Sequence, residues 1–218
     1  MPKIYLFLLP LWLSSMLLNA QVFNGSGGAI PDNGNPVSFP LVVSGLTPSS
    51  LNTAHGIAEV KVNIIHPYDA DLYIALISPD GASVLLSVSN GGDGDNYTQT
   101  RFSDTASVSI AAGIPPFTGV FKPQELLGNL NNGRQGNGTW HLYIHDLYAF
   151  ADQGTLLNWS ITFDENVTGP FVFESSNLPI VLIDTYGQEI LDDPKIQVGM
   201  KIIRSEERRV GKECRSRW

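Results

Sequence analysis

After residue 55 the chain alternates hydrophobic and polar residues with a period of two. Between residues 60 and 64, two valines and an isoleucine are separated by a lysine and an asparagine, and residues 72–77, 140–145 and 157–163 repeat the period. Successive side chains of a strand point to opposite sides of a sheet. Each of these segments is therefore predicted to form a half-buried β-strand.

Turn chemistry separates these segments. Residues 78–81, Ser-Pro-Asp-Gly, place proline second and glycine fourth, which is typical of a type I turn, and residues 83–88 are predicted to form the returning strand. Short strands joined by turns predict an all-β fold, an antiparallel β-sandwich of two sheets. Residues 21–40 are rich in glycine, asparagine and proline and are predicted to be a loop, and residues 124–131 a single helical turn.

The apolar positions of the strands define the predicted core. Side chains at every second position share one face of a strand, so Leu157 is placed on the same buried face as Trp159 and Phe163. Trp140 and Trp159 are interpreted as core anchors rather than as an aromatic platform for carbohydrate, because each alternates with aliphatic residues. The core is predicted to contain Val62, Ile64, Leu72, Ile74, Trp140, Leu142, Trp159 and Ile161.

Composition limits the function classes that need to be considered. Of the 218 residues, 43% are hydrophobic and 16% are charged, which excludes a disordered acidic chain and a coiled coil. The 13 basic and 21 acidic residues give a net charge of −8, which argues against a general nucleic-acid surface. Cys214 is the single cysteine, so the rest of the chain has no disulfide and no cysteine metal site.

The two ends of the chain differ from the rest in composition. Residues 1–20 contain Lys3, an apolar run and a final Ala20, the layout of a secretory signal peptide, with a buried N-terminal helix as the alternative. The mature protein is therefore expected to be exported by a bacterium, and no other stretch reaches the length of a membrane span. Residues 204–218 turn abruptly basic and are interpreted as translated sequencing-adaptor read-through; the alternative is a native tail that binds an acidic surface.

Several blocks of the sequence resemble one known family. They occur in the order HPYDADL at 66–72, LISPDG at 76–81, GGDGDN at 91–96, NGTW at 137–140 and GTLLNWSITF at 154–163. Together they resemble the P domain (P/Homo B domain) that follows the catalytic domain in kexin- and furin-like proprotein convertases, which are subtilisin-type serine endopeptidases. The resemblance implies a jelly-roll, galactose-binding-like β-sandwich that is itself non-catalytic and that stabilises or targets an enzyme of proteolysis.

A second, shorter resemblance follows the sandwich. Residues 174–196 are similar to the start of a spore-coat-H-type kinase-like domain, and residues 174–184 are predicted to form a loop and then a buried strand. None of the nucleotide or metal residues of that kinase-like family can be placed on this sequence. The predicted division of the chain is a signal peptide (1–20), a linker (21–36), the P domain (37–166), a linker with the truncated start of a kinase-like domain (167–203) and the read-through tail (204–218).

No protease active site can be assembled from the sequence. A serine protease needs a nucleophile, a histidine base and a carboxylate, and no Gly-x-Ser-x-Gly elbow is present. His55 is placed in a loop, His66 at a strand end where it bonds a loop, and His141 and His145 on the solvated face of their strand. The chain alone is therefore expected to have neither protease nor kinase activity.

Two functions remain open. The first is a secreted, non-catalytic module whose partner is an adjacent enzyme domain or another extracellular protein, with no nucleic acid bound and no membrane span after signal removal. The alternative is the N-terminal fragment of a secreted spore-coat-H-type kinase-like protein. A convertase-like protease is disfavoured, because its catalytic domain precedes the P domain, whereas here the predicted signal peptide runs almost directly into the sandwich.

Carboxylates concentrated in predicted loops indicate a calcium site. Aspartates two residues apart in an extended segment point the same way, and calcium takes about six to eight oxygen ligands from carboxylates, carbonyls and water. The resemblance supports calcium as the cofactor, because P domains of bacterial proteases are often calcium-stabilised. The alternative is a set of solvated turn aspartates. The candidate ligands are Asp69, Asp71, Asp93, Asp95, Asp104, Asp146 and Asp152.

Overall fold

Two β-sheets form the first of two structural units, which ends at Phe171; the second begins at Val172. The computed structural model describes residues 20–170, 180–184 and 199–203. The strands of the first unit are β1 (Gln21–Ile30), β2 (Val37–Val43), β3 (His55–Ile65), β4 (Leu72–Ile77), β5 (Ser83–Val88), β6 (Tyr97–Phe102), β7 (Val120–Phe121), β8 (Gly138–Asp146) and β9 (Gly154–Glu165).

The predicted all-β sandwich is confirmed. One sheet has five strands in the order β1-β9-β3-β6-β7, and the other has four in the order β2-β8-β4-β5. Neighbouring strands are antiparallel except for β6 and β7, which are parallel. Three short 3-10 helices, Asp69–Asp71, Ile110–Ala112 and Leu127–Leu130, lie in the connections, and the last of them confirms the helical turn predicted at 124–131.

The core lies between the two sheets and contains the side chains predicted from the alternation of hydrophobic and polar residues. All eight predicted core residues are at most 1% exposed. Trp140 and Trp159 are among the largest fully buried side chains, which confirms them as core anchors. The Trp140 ring meets Phe163 at 6.0 Å between ring centroids, close to edge-to-face. Burial of side chains of this size stabilises the fold by about 1.5–3 kcal/mol each.

The loop predicted for residues 21–40 is wrong, because this segment contains strand β1 and the start of β2. β1 forms an edge of the five-stranded sheet and pairs antiparallel with β9, with Gly25 opposite Trp159. A Cβ atom at Gly25 would overlap the indole of Trp159. The glycine that indicated a loop therefore permits a close approach between β1 and a buried tryptophan.

The placement of Leu157 on the buried face of its strand is also wrong. Leu157 is 45% exposed, whereas Leu156 is 1% exposed. In the pairing of β3 with β9, Asn63 is opposite Asn158 and Ile64 is opposite Leu156, so Leu157 is an extra residue in β9. This β-bulge shifts the alternation by one position, and a period-two pattern read from Trp159 backwards fails at that point.

The turn predicted after β4 is confirmed by its hydrogen bonds. The Gly81 amide donates to the Ser78 carbonyl at 2.9 Å, which closes a four-residue turn between β4 and β5. The Ser78 hydroxyl also donates to the Asp80 carboxylate at 2.5 Å. Arg134 forms an ion pair with Asp80, which ties the turn to the segment before β8.

The described part of the second unit is a pair of β-strands. Strand β10 (Ile180–Asp184) pairs antiparallel with β11 (Gly199–Ile203), which confirms a strand at the end of 174–184. The strand was predicted to be buried, but Val181 is 51% exposed, and the loop predicted before it lies outside the described residues. The signal peptide, the read-through tail and most of the kinase-like resemblance fall outside the described residues, so these remain predictions. Among the described residues, no helix is long and apolar enough to cross a membrane.

Candidate functional site

A buried histidine and a buried aspartate join the ends of two strands. His66 directly follows β3, Asp146 ends β8, and neither side chain is exposed. Nε2 of His66 lies 3.3 Å from Oδ2 of Asp146, and Nδ1 lies 2.8 Å from the Tyr68 carbonyl oxygen. Both ring nitrogens therefore contact protein atoms of the strand ends and the next loop. His66 is a strand-end residue that bonds a loop, as predicted.

Two further predicted calcium ligands, Asp71 and Asp152, lie near Asp146 of this pair. Burial raises the pKa of Asp71, and the charges of Asp146, Asp152 and Asp32 raise it further, whereas His66 lowers it. Asp146 also accepts a hydrogen bond from the Tyr148 amide at 3.1 Å. We call Asp32, Asp71, Asp146 and Asp152 the Asp71 cluster. Asp32 was missed by the sequence reasoning, because it lies in a segment interpreted as a linker.

Asp69 lies only two residues from Asp71 but has different surroundings. Its side chain is 0% exposed, and neither carboxylate oxygen has a hydrogen-bond partner among the described residues. The Asp69 backbone amide donates to the Gly94 carbonyl at 2.8 Å, and the Ala70 amide donates to the Gly92 carbonyl at 3.2 Å. The structure thus places Asp69 beneath the glycine-rich loop 91–96, which carries the predicted ligands Asp93 and Asp95.

The electrostatics of Asp69 are those of a carboxyl group removed from water. Burial raises its pKa to about 7, and the charge of Asp95 contributes in the same direction. The backbone amide of Asn96 lies near the Asp69 carboxyl and lowers the pKa of Asp69. This amide donates its hydrogen bond to the His66 carbonyl oxygen at 3.1 Å. In the same region, burial raises the pKa of the Tyr97 hydroxyl, and the charge of Asp69 raises it further.

Asp104 is apart from both groups of aspartates and has a structural role. Its two carboxylate oxygens accept hydrogen bonds at 2.8 Å from the backbone amides of Leu127 and Gly128, and the Thr168 hydroxyl also donates to it. These bonds satisfy amides at the start of a 3-10 helix. The seven predicted ligands therefore divide into three places, and no group of three or more histidine, cysteine or acidic side chains in the described part of the chain has the geometry of a metal site.

The remaining histidines also serve structural contacts. The loop prediction for His55 is wrong: it is the first residue of β3, pairs with Glu165 and is 3% exposed. His141 and His145 lie half-buried on the outer face of β8, as predicted. Nδ1 of His141 lies 3.0 Å from the Ser38 hydroxyl, and Nε2 of His145 lies 3.0 Å from the Gly34 carbonyl oxygen.

A groove on the outer face of the four-stranded sheet was missed by the sequence reasoning. Tyr73 of β4 lies opposite His145, Ala75 lies opposite Tyr143, and the two tyrosine rings meet edge to face with centroids 5.9 Å apart. The signal that could have found it is the apolar character of both faces of β4. The groove has a volume of about 320 Å³ and is lined by Tyr73, Ala75, Ile77, Ser83, Tyr143 and His145.

Comparison with known proteins relates part of the chain to parts of two proteases. Residues 56–163 match the family model described as "Proprotein convertase P-domain". The chain is similar to the transglutaminase-activating metalloprotease of Streptomyces mobaraensis, with 33% identity over 156 residues, which cover 70% of this chain and 16% of that protein. It is also similar to the Aeromonas extracellular serine protease of Aeromonas sobria, with 29% identity over 136 residues, covering 62% of this chain and 19% of that protein.

A solved structure gives a weaker similarity. The crystal structure of the serine protease of Aeromonas sobria superposes with a TM-score of 0.40 and 22% identity, over 67% of this chain and 26% of that chain. In each comparison the chain spans a minor part of the relative's length. The matched region of 56–163 runs from the second residue of β3 to Phe163, two residues before the end of β9.

Proposed function

We propose that the chain is an exported, non-catalytic module that stabilises or targets an adjacent extracellular enzyme domain, because residues 56–163 match the model of the proprotein convertase P-domain. The observation that carries the proposal is the pair of relatives, one named a metalloprotease and the other a serine protease. These two chemistries need different catalytic groups. A region similar to parts of both is therefore best explained as an accessory to catalysis.

The contacts of the histidines support a non-catalytic role. A general base must reach the group whose proton it removes, within hydrogen-bond distance in a plausible substrate complex. His66 is 0% exposed, and its ring nitrogens contact the Tyr68 carbonyl and Asp146. His141 and His145 contact Ser38 and a backbone carbonyl on the outside of the sheet. Each of these histidines therefore has structural contacts that explain its position in the fold.

We assign the docking of the enzyme domain to the tyrosine groove. Interfaces between proteins are enriched in tyrosine, whose ring supplies apolar area while its hydroxyl donates or accepts hydrogen bonds. The groove combines Tyr73 and Tyr143 with the apolar Ala75 and Ile77, and none of its lining residues is an acid or a lysine or arginine. An uncharged, aromatic groove on an otherwise acidic chain suits the apolar surface of a neighbouring domain.

Export is part of the same proposal. The relative from Aeromonas sobria is named an extracellular protease, and residues 1–20 have the composition of a secretory signal peptide. Residues 204–218, interpreted as read-through, have no role in the proposed function.

The proposal is tested by exchange of a domain. In the Aeromonas sobria serine protease, the segment similar to this chain is deleted or replaced by the matched 136 residues of this chain. We expect the exchanged protein to be recovered from the medium with a longer thermal half-life of proteolysis than the deleted one. Equal half-lives of the exchanged and deleted proteins would contradict a stabilising role.

Variants of the exchanged protein locate the docking surface. Tyr143→Ala should shorten the half-life, whereas Val42→Ala, on the outer face of β2 in the same sheet and 68% exposed, should leave it unchanged. The isolated chain is expected to cleave neither casein nor dibasic peptides and to transfer no phosphate from ATP. Turnover that a single substitution in this chain abolishes would show that it is an enzyme.

A further inference from the structure

Between residues 20 and 170, five asparagines directly precede a glycine, and this dipeptide can react with itself. The glycine nitrogen attacks the side-chain carbonyl carbon of the asparagine, because glycine has no side chain to hinder the approach. A succinimide ring closes, the bond to the side-chain nitrogen breaks, and ammonia leaves with the proton of the glycine amide. Water then opens the ring to aspartate or isoaspartate. The asparagines are Asn24, Asn33, Asn90, Asn132 and Asn137.

Two of these asparagines are fixed by their neighbours. Asn24 lies within β1, opposite Ser160 of β9, and a strand side chain stands roughly perpendicular to the sheet that contains the following amide. Asn90 is 9% exposed, and its side-chain nitrogen donates to the Ser87 hydroxyl at 2.8 Å and to Oε1 of Gln124 at 3.0 Å. Rotation of Asn90 onto the following amide would break both bonds.

Two more asparagines are restrained by bonds to the backbone. Oδ1 of Asn137 accepts a hydrogen bond from the Leu46 amide at 2.9 Å, and its Nδ2 donates to the Leu46 carbonyl at 3.1 Å. Asn132 is exposed, but the amide of Gly133 donates to the Leu51 carbonyl at 2.6 Å. This bond must open before the Gly133 nitrogen can attack, so the reaction of Asn132 is slowed.

Asn33 has none of these restraints. Asn33 and Gly34 are both exposed in the connection between β1 and β2. The Gly34 amide has no hydrogen-bond partner in the described part of the chain. Oδ1 of Asn33 accepts a hydrogen bond from the Asn35 amide at 3.0 Å. Attack by the Gly34 nitrogen places negative charge on this oxygen, and a donor already aimed at it stabilises that charge.

We propose that Asn33 is a modification site, at which the folded protein deamidates spontaneously to aspartate and isoaspartate with water as the co-reactant. Isoaspartate adds a methylene to the backbone directly before Gly34, whose carbonyl oxygen lies 3.0 Å from Nε2 of His145. His145 lines the tyrosine groove, so the modification alters a contact at the groove wall. The product also places a carboxylate next to Asp32, which accepts a hydrogen bond from the Phe150 amide.

The experiment compares the folded chain with the same chain unfolded in guanidinium chloride. Both are incubated at mildly alkaline pH, because the attacking nitrogen must lose its proton, and each asparagine is followed by peptide mass mapping and by enzymatic labelling of isoaspartate. In the folded chain, Asn33 should react about tenfold faster than Asn132, since the Gly133 bond must open first. The other three asparagines should stay unmodified. In the unfolded chain all five should react at similar rates, because they share one dipeptide.

Two variants complete the test. Asn33→Ser should abolish the fast modification and leave the rate at Asn132 unchanged, and Asn132→Ser should leave the rate at Asn33 unchanged. Circular dichroism checks that both variants retain the wild-type fold. Equal rates at the five asparagines of the folded chain, faster reaction at Asn132 than at Asn33, or the same preference for Asn33 in the unfolded chain would overturn the proposal. None of these measurements depends on an enzyme partner.

Discussion

The two core tryptophans provide a test of how the sandwich is stabilised, because they differ in one interaction. Trp140 and Trp159 are 0% and 1% exposed. Nε1 of Trp140 donates a hydrogen bond to the buried Gly136 carbonyl at 2.8 Å, whereas Nε1 of Trp159 is buried without a partner among the described residues. Replacing each with phenylalanine removes a similar volume from the core. The difference between the two variants therefore reports on the indole N–H.

The expected magnitude follows from the unequal hydrogen bonding. Trp140→Phe leaves the Gly136 carbonyl unpaired, and a buried unsatisfied acceptor costs about 1–3 kcal/mol beyond the lost packing. Trp159→Phe instead removes an unpaired donor, which offsets part of its packing loss. We therefore expect Trp140→Phe to lower the free energy of unfolding by about 1–3 kcal/mol more than Trp159→Phe does.

Urea unfolding followed by far-ultraviolet circular dichroism measures this difference without relying on tryptophan fluorescence. The midpoints can be compared directly if both variants retain the wild-type dependence on denaturant. Trp159→Ala serves as the calibration, with an expected loss of about 3–5 kcal/mol. Equal midpoints for the two phenylalanine variants, or a lower one for Trp159→Phe, would refute the hydrogen-bond argument.

Two further substitutions test the edge strand and the cap. Gly25→Ala places a Cβ atom against the Trp159 indole and should destabilise the fold by about 1–3 kcal/mol in the same urea assay; Ser26→Ala, exposed on β1, should not, and equal effects would argue against the close approach. Asp104→Ala removes two backbone hydrogen bonds at Leu127–Leu130 and should lower stability by about 0.5–2 kcal/mol. That loss should be the same with and without calcium, and a calcium-dependent loss would instead make Asp104 a ligand.

The strands and the core could be predicted because one face of each strand is buried. Val62, Leu72 and Ile161 are buried, and in each of their strands every second residue is apolar. This period follows directly from the pleat of a strand. Leu157 breaks the rule, because the bulge in β9 depends on where β3 pairs with it. Strand β1 was missed for a related reason: Gly25 is explained by its contact with Trp159, which lies far away in the sequence.

The candidate site was only partly predictable, because it depends on contacts between distant loops. The sequence identified seven aspartates as equivalent, since all lie in acidic loops. Their differences come from the fold: Asp104 caps a 3-10 helix, while the Asp69 carboxylate is buried without a hydrogen-bond partner among the described residues. No sequence motif indicated the tyrosine groove. Tyr73 and Tyr143 occupy positions that the period assigned to solvent, and only the pairing of β4 with β8 brings them together.

The strand pairing explains why blocks far apart in the sequence meet at one end of the sandwich. Leu72 at the start of β4 pairs with Asp146 at the end of β8, and Ile65 at the end of β3 pairs with Thr155 at the start of β9. The loops that join these strands therefore share one end, where His66 contacts Asp146 and loop 91–96 covers Asp69. Loops at the end of a rigid sandwich can carry ligands without disturbing the core. The groove lies instead on the outer face of the four-stranded sheet, so the proposed docking surface is separate from these loops.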